Sequence, residues 1–122
     1  MKFQKFELEV KKIIRNLPQK YRRILYKEEI RIIVRREVPR AVKERYPDKT
    51  VFGIFIGLKR EYRNSFYIQK EPTRIEIYME SFEKYFGSEF SCEMKEQIFK
   101  TVVHEIAHYF GFDEKQLRKR GY

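Results

Sequence analysis

The stretch TVVHEIAHYFGFDEKQL, residues 101–117, contains both histidines of this 122-residue chain. His104 and His108 are four positions apart, so on a helix their imidazoles project from the same face and can bind one metal ion. Glu105 follows the first histidine and points about a quarter-turn away, where its carboxylate can contact a metal-bound water without binding the metal. The pattern predicts a metal-dependent hydrolase.

A catalytic zinc ion needs a third protein ligand and an open position for water. Gly111 comes just past the predicted helix, where glycine can adopt a left-handed conformation and turn the chain back toward the histidines. Asp113 and Glu114 follow, so two neighbouring positions could each supply a carboxylate. The competing interpretation is a pair of ordinary solvated histidines. These are the only histidines of the chain, however, and they avoid the apolar arc of the helix.

The rest of the chain predicts an α+β domain with a small sheet of three or four strands, packed against an N-terminal and a C-terminal helix. Helical spacing or capping residues predict helices over residues 3–17, 40–45 and 81–86, a long helix from the N-cap Ser91 to Gly111, and a short helical tail. Apolar or alternating runs predict strands within residues 28–38, 51–58 and 73–79, and the polar segment 60–72 is expected to be a loop. In the third strand, the expected inward residues are Ile75, Ile77 and Met79, and the expected outward residues are Arg74, Glu76 and Tyr78.

Length and composition predict a single domain over residues 1–122, because 42% of the residues are hydrophobic and only 9 are Gly or Pro. The lone Cys92 excludes an internal disulfide, and no apolar run reaches the roughly 18 residues of a membrane span. We therefore expect a cytoplasmic protein without a membrane partner. Its Lys, Arg, Glu, Ile and Tyr content is thermophile-like. The net charge of +10 makes it a basic protein, which would attract a nucleic acid, although dispersed charge more often serves solubility.

The segments PTRIEIYMESFEKYF, residues 72–86, and EQIFKTVVHEIAHYFGFDEKQL, residues 96–117, resemble the minimal zincin family, small bacterial zincin-like metallopeptidase-like proteins with HExxHxxG and a following acidic residue. The resemblance implies a minimal zincin-like fold with one Zn²⁺ bound by His104 and His108. It also implies a metallopeptidase in which Glu105 activates the metal-bound water to attack a bond of a peptide or protein substrate. The family usually has one more residue between the glycine and its acidic pair. Spacing as in metzincins favours Glu114 as the third ligand, with Asp113 as the alternative.

Two other functions compete with the peptidase. The helix HEIAHYFGFDE also resembles the HGxLHLxGYDH helix of metal-dependent endoribonucleases of rRNA maturation, but Glu105 replaces a glycine and Glu114 replaces a third histidine. The protein could instead be a non-catalytic metal-binding or interaction module, although structural zinc sites normally have four protein ligands. If it is a peptidase, an extended substrate could add to an exposed edge, with strand 73–79 as one candidate. Tyr109 and Tyr122 are the candidates for stabilising the oxyanion.

Overall fold

A computed structural model describes residues 1–63 and 72–119 of the chain. Within these ranges the chain forms six α helices, three strands and one short 3-10 turn. The helices are α1 (Phe3–Arg15), α2 (Gln19–Lys27), α3 (Arg40–Arg45), α4 (Met79–Phe86), α5 (Cys92–Tyr109) and α6 (Glu114–Lys119). The strands are β1 (Arg31–Arg35), β2 (Gly53–Ile56) and β3 (Arg74–Tyr78), and the 3-10 turn is Arg60–Tyr62. The predicted α+β class is confirmed.

The three strands form one mixed sheet in the order β1-β3-β2. β1 runs parallel to β3, with Ile32 opposite Ile75, whereas β2 runs antiparallel to β3, with Phe55 opposite the same residue. β3 is therefore the central strand and is hydrogen-bonded on both sides. The suggestion that a substrate adds to residues 73–79 is wrong, because both edges of that strand are already used.

The hydrophobic core lies between the sheet and the helices α1, α4 and α5. Ile75 and Ile77 of β3 are fully buried in this core, together with Phe6 of α1 and Phe82 of α4. β2 approaches α5 very closely at Gly53, where an added Cβ would lie 2.6 Å from the carbonyl oxygen of Glu76 and 2.9 Å from a methyl group of Thr101. The absence of a side chain at Gly53 thus lets the edge strand lie against the helix that carries the histidines.

Glu76 and Tyr78 of β3 were expected to point outward to solvent, and this prediction is wrong, since both are buried. The carboxylate of Glu76 accepts hydrogen bonds from Arg74 at 2.9 Å and Tyr78 at 3.0 Å, and it pairs with Arg35 at 2.8 Å. Burial by itself would raise the pKa of Glu76. The hydrogen bonds from Arg74 and Arg35 lower the pKa by more than burial raises it, so the pKa lies below its usual value. The polar side chains of β3 satisfy one another instead of requiring solvent.

The N-terminal part contains one helix that the sequence did not indicate. α1 ends at Arg15, two residues before the predicted end, and α2 begins at Gln19 directly after Pro18. Proline is well tolerated at a helix start, so Pro18 separates two helices instead of simply ending one. Most of the predicted loop 60–72 lies outside the described residues. In the parts of the chain that are described, no helix combines the length and the apolar character needed to cross a membrane.

Candidate metal centre

The helix α5 positions the two histidines, and its two ends are defined by specific capping interactions. At its start, the Oγ of Ser91 accepts a hydrogen bond from the N–H of Met94 at 3.2 Å, as expected for an N-cap. At its end, Gly111 has a φ of +93°, and the N–H groups of Gly111 and Phe112 donate to the carbonyls of His108 and Ala107. This pair of hydrogen bonds is a Schellman motif, which reverses the chain direction immediately after the second histidine.

The reversal brings three potential metal ligands together. The Nε2 atoms of His104 and His108 are 3.1 Å apart, and the Oε1 atom of Glu114 lies 3.0 Å from the first and 2.7 Å from the second. The other ring nitrogen of His108, Nδ1, lies 2.9 Å from the carbonyl oxygen of Phe112. A carbonyl only accepts hydrogen bonds, so Nδ1 carries a proton, and in the neutral ring the lone pair is then on Nε2. Lone pairs that face one another in this way are stabilised by a proton or a cation between them.

The structure separates the two candidate carboxylates. The Oδ1 of Asp113 accepts a hydrogen bond from the N–H of Gln116 at 2.8 Å, and the N–H of Asp113 donates to the Oε1 of Gln116 at 2.8 Å. This reciprocal pair is a capping box at the start of α6. The side chain of Asp113 is therefore used by the helix cap, whereas Glu114, the first residue of α6, reaches the histidines. The interaction with both histidines lowers the pKa of Glu114 despite the opposing effect of partial burial.

Glu105 lies beside the histidine pair on the more buried side of α5. Its Oε1 accepts a hydrogen bond from the backbone N–H of Phe55 in β2 at 2.8 Å, and its Oε2 lies 3.9 Å from the Nε2 of His104. One possible ligand atom from each of His104, Glu105 and His108 falls within 4.8 Å of the others. Burial raises the pKa of Glu105 above its usual value, although His108, the N–H of Phe55 and His104 act in the opposite direction. The carboxylate is thus held at one oxygen and directed toward the histidines with the other.

Comparison with known proteins identifies the family. A family model described as zincin-like metallopeptidase matches residues 27–122, which is more than half of the chain. The chain belongs to the zincin-like metallopeptidase family. The match begins within α2 and includes the whole sheet, α5 and the turn that follows it. Among curated proteins, none matches this zincin-like chain. Membership confirms the predicted family and implies a metallopeptidase with a metal ion, which in this family is typically zinc.

The donor set of this zincin-like protein fits zinc. Two imidazole nitrogens and one carboxylate oxygen are common zinc ligands, and three ligands about 2.0–2.1 Å from a tetrahedral ion lie about 3.3 Å apart. The observed separations of 2.7, 3.0 and 3.1 Å are slightly shorter. The Glu114 side chain is 55% exposed, so it can move outward by the small distance required. With three protein ligands, one position of a tetrahedral ion would remain open for water or substrate.

The two tyrosines considered for oxyanion stabilisation have different outcomes. Tyr109 is buried and belongs to a polar network, in which its hydroxyl donates to the carboxylate of Glu28 at 3.0 Å and accepts from Arg63 at 2.9 Å. Arg63 also donates to the backbone carbonyl of Glu28. Tyr109 therefore connects α5 to the end of α2 in this zincin-like fold. Tyr122 lies outside the described residues.

Two parts of the candidate site could not be found from residue types, because both are backbone groups. The carbonyl of Phe112 orients the ring of His108, and the N–H of Phe55 holds Glu105. For the contact between Phe112 and His108, the available sequence signal was Gly111, the glycine after the helix. No sequence signal indicates the second, since any residue except proline supplies a backbone N–H.

Proposed function

We propose that this zincin-like protein is a zinc-dependent peptidase in which His104, His108 and Glu114 hold one zinc ion and Glu105 is the catalytic carboxylate. The observation that carries the proposal is the convergence of the three donor atoms within 3.1 Å of one another, with the free oxygen of Glu105 beside them at 3.9 Å. Asp113, the alternative third ligand, is used in the capping box of α6.

A zinc ion at this site would lower the pKa of a bound water and polarise the carbonyl of the scissile peptide bond. Glu105 supplies the proton transfers. Because the N–H of Phe55 holds its Oε1, its Oε2 is the atom that takes a proton from the attacking water and later delivers it to the leaving amine. The raised pKa of Glu105 supports this role, since a carboxylate with a higher pKa is a stronger base.

The free edge of β2 is the surface on which we expect the substrate to bind. Among the described residues, β2 pairs only with β3, so its other edge has no strand beside it. The N–H of Phe55 points to this free edge, where it reaches Glu105. A peptide in an extended conformation that paired with the other backbone groups of this edge would therefore pass directly beside the catalytic carboxylate.

The peptidase explains the described contacts better than the two alternatives. A buried carboxylate directed at the metal position suits a hydrolase that needs a general base, and it stands where the resembling endoribonucleases have a glycine. Glu114 likewise occupies the place of their third histidine. A purely structural zinc site would normally contain four protein ligands. Within the described part of the chain, the donor atoms of His104, His108 and Glu114 converge within 3.1 Å, whereas the nearer oxygen of Glu105 lies 3.9 Å from His104.

Metal content and hydrolysis of the purified protein test the proposal together. Wild-type protein prepared without chelators should contain about one equivalent of zinc, and His104→Ala should contain much less. Glu105→Gln should retain the zinc but cleave a quenched-fluorescent peptide library about 10²–10⁴-fold more slowly. Glu93→Gln, an exposed change in the first turn of the same helix, is the matched control and should change neither quantity. Equal cleavage by wild type and Glu105→Gln would refute the peptidase.

A further inference from the structure

A second surface lies on the opposite edge of the sheet from the candidate metal centre. An open groove of about 1170 Å³ runs between α1, α2 and β1, and we call it the β1 groove. None of His104, Glu105 or His108 lines it. Small-molecule pockets usually have volumes of about 300–1,000 Å³, so a groove of this size suits a longer ligand. We propose that the β1 groove binds an acidic peptide segment in an extended conformation, as an additional strand beside β1.

The backbone of β1 provides the first argument. The N–H of Arg31 donates to the carbonyl of Thr73, so Arg31, Ile33 and Arg35 direct their backbone groups toward β3 in the parallel ladder. The backbone groups of Ile32 and Val34 consequently point the other way, into the groove. No strand lies on that side within residues 1–63 and 72–119. A strand edge without a partner among the described residues is a template for pairing with another extended chain.

The walls of the groove indicate what kind of strand would fit. Its floor is aliphatic and consists of Val10, Ile14, Leu25, Ile30, Ile32 and Val34. Alternate side chains of an added strand would face this floor, because successive side chains of a strand point to opposite faces. The described lining contains one aromatic residue, Tyr26, which is 88% exposed. The backbone groups of Ile32 and Val34 can pair with a peptide strand and not with a nucleic acid, so the groove favours a peptide.

The charge of the groove determines the composition of that peptide. The groove is lined by five basic and two acidic side chains. The basic residues are Lys11, Arg15, Arg22, Arg31 and Arg63, and the acidic residues are Glu7 and Glu29. Lys11 lies 4.0 Å from Glu7, and Arg22 and Arg63 donate to backbone carbonyls. Arg15 and Arg31 are exposed and form no ion pair with the described residues. A second copy of this chain, with its net charge of +10, would be repelled by such a surface, whereas glutamate or aspartate side chains would be attracted.

Fluorescence anisotropy with a labelled octapeptide of alternating Glu and Val tests the proposal. The peptide should bind wild-type protein at about 50 mM salt, and the double variant Arg15→Glu/Arg31→Glu should weaken binding by about 10-fold or more. The control variant Lys49→Glu/Lys95→Glu makes the same change in net charge at exposed positions outside the groove and should weaken binding by less than about 2-fold. An equal loss in both variants would mean that only the overall charge attracts the peptide, and it would overturn the proposal.

Three further experiments separate strand pairing from other modes of binding. An octapeptide of alternating Glu and Pro has the same charge but cannot form a strand ladder, so equal binding of this peptide would overturn the proposal. Binding of a uridine dodecanucleotide without binding of the Glu-Val peptide would assign the groove to nucleic acid. A dimer in sedimentation experiments that Arg15→Glu/Arg31→Glu dissociates would assign it to self-association. If the double variant does not fold by circular dichroism, Arg15→Glu alone should weaken peptide binding by about 3-fold.

Discussion

Replacement of the two neighbouring acidic residues provides the sharpest test of the metal centre. Glu114→Ala removes a carboxylate whose oxygen lies 3.0 and 2.7 Å from the two histidines. Asp113→Ala removes a carboxylate that caps α6 and does not contact the histidines in the described structure. The two variants affect adjacent residues and change the net charge by the same amount. A difference in their zinc affinity therefore reports the position of the side chain and not its charge.

The expected size of the effect follows from the number of ligands. Zinc binding of about 10–16 kcal/mol in four-ligand sites corresponds to about 2.5–4 kcal/mol for each ligand. Glu114→Ala should therefore weaken zinc binding by about 10²–10³-fold, because each factor of ten corresponds to about 1.4 kcal/mol. Asp113→Ala removes an N-cap interaction of about 1 kcal/mol and should weaken zinc binding by less than about 10-fold.

Competition with a chromogenic zinc chelator at pH 7 measures both affinities. Circular dichroism of each variant without zinc serves as the control for folding. If Asp113→Ala loses more zinc affinity than Glu114→Ala, the assignment of the third ligand is wrong, and the capping box at α6 does not persist when the metal is bound.

Four further variants test the backbone and the core. Gly111→Ala and Gly87→Ala should each lower the free energy of unfolding by about 1–2 kcal/mol in urea titrations, because both glycines have φ near +90°. The backbone strain is the whole cost, since an added Cβ meets no atom within 4 Å at either position. Only Gly111→Ala should also weaken zinc binding. Glu76→Gln should cost about 2–4 kcal/mol at pH 7. Because the pKa of Glu76 is lowered in the folded protein, the stability that its carboxylate contributes is complete above pH 4.5 and is lost as the pH falls through the pKa of the folded state. Equal urea midpoints of wild type and Glu76→Gln at pH 7 would contradict this contribution. Gly53→Ala should cost about 1–3 kcal/mol, since the new methyl group overlaps the carbonyl of Glu76, and an unchanged melting temperature would show that β2 can move away from α5.

The elements that the sequence predicted well are those with a local cause. Ser91 caps α5, and Gly111 reverses the chain after it, because both effects depend on one residue and its immediate neighbours. Gly87 likewise ends α4 as expected. The helix after Pro18 was missed, because a proline that ends one helix can equally precede another.

The burial of β3 could not be predicted from its alternating pattern. Arg74, Glu76 and Tyr78 follow the rule for a strand with one polar face, yet Glu76 and Tyr78 are buried. The reason is an interaction between strands. Arg35 comes from β1, 41 positions before Glu76, and it reaches the carboxylate only because the two strands pair in parallel. Sequence periodicity cannot detect such a partner, because it reports only the polarity of each residue.

The sequence by itself determined the family and the residue types of the candidate metal centre. The pattern consists of two histidines one helical turn apart, a glutamate between them, and a glycine followed by acidic residues. The geometry of a single helix is enough to interpret it as a metal site. Only the tertiary structure places Glu114 against the histidines, Asp113 in the cap of α6 and the N–H of Phe55 against Glu105. These contacts depend on how α6 is capped and on how closely β2 approaches α5, which are set by packing between distant segments.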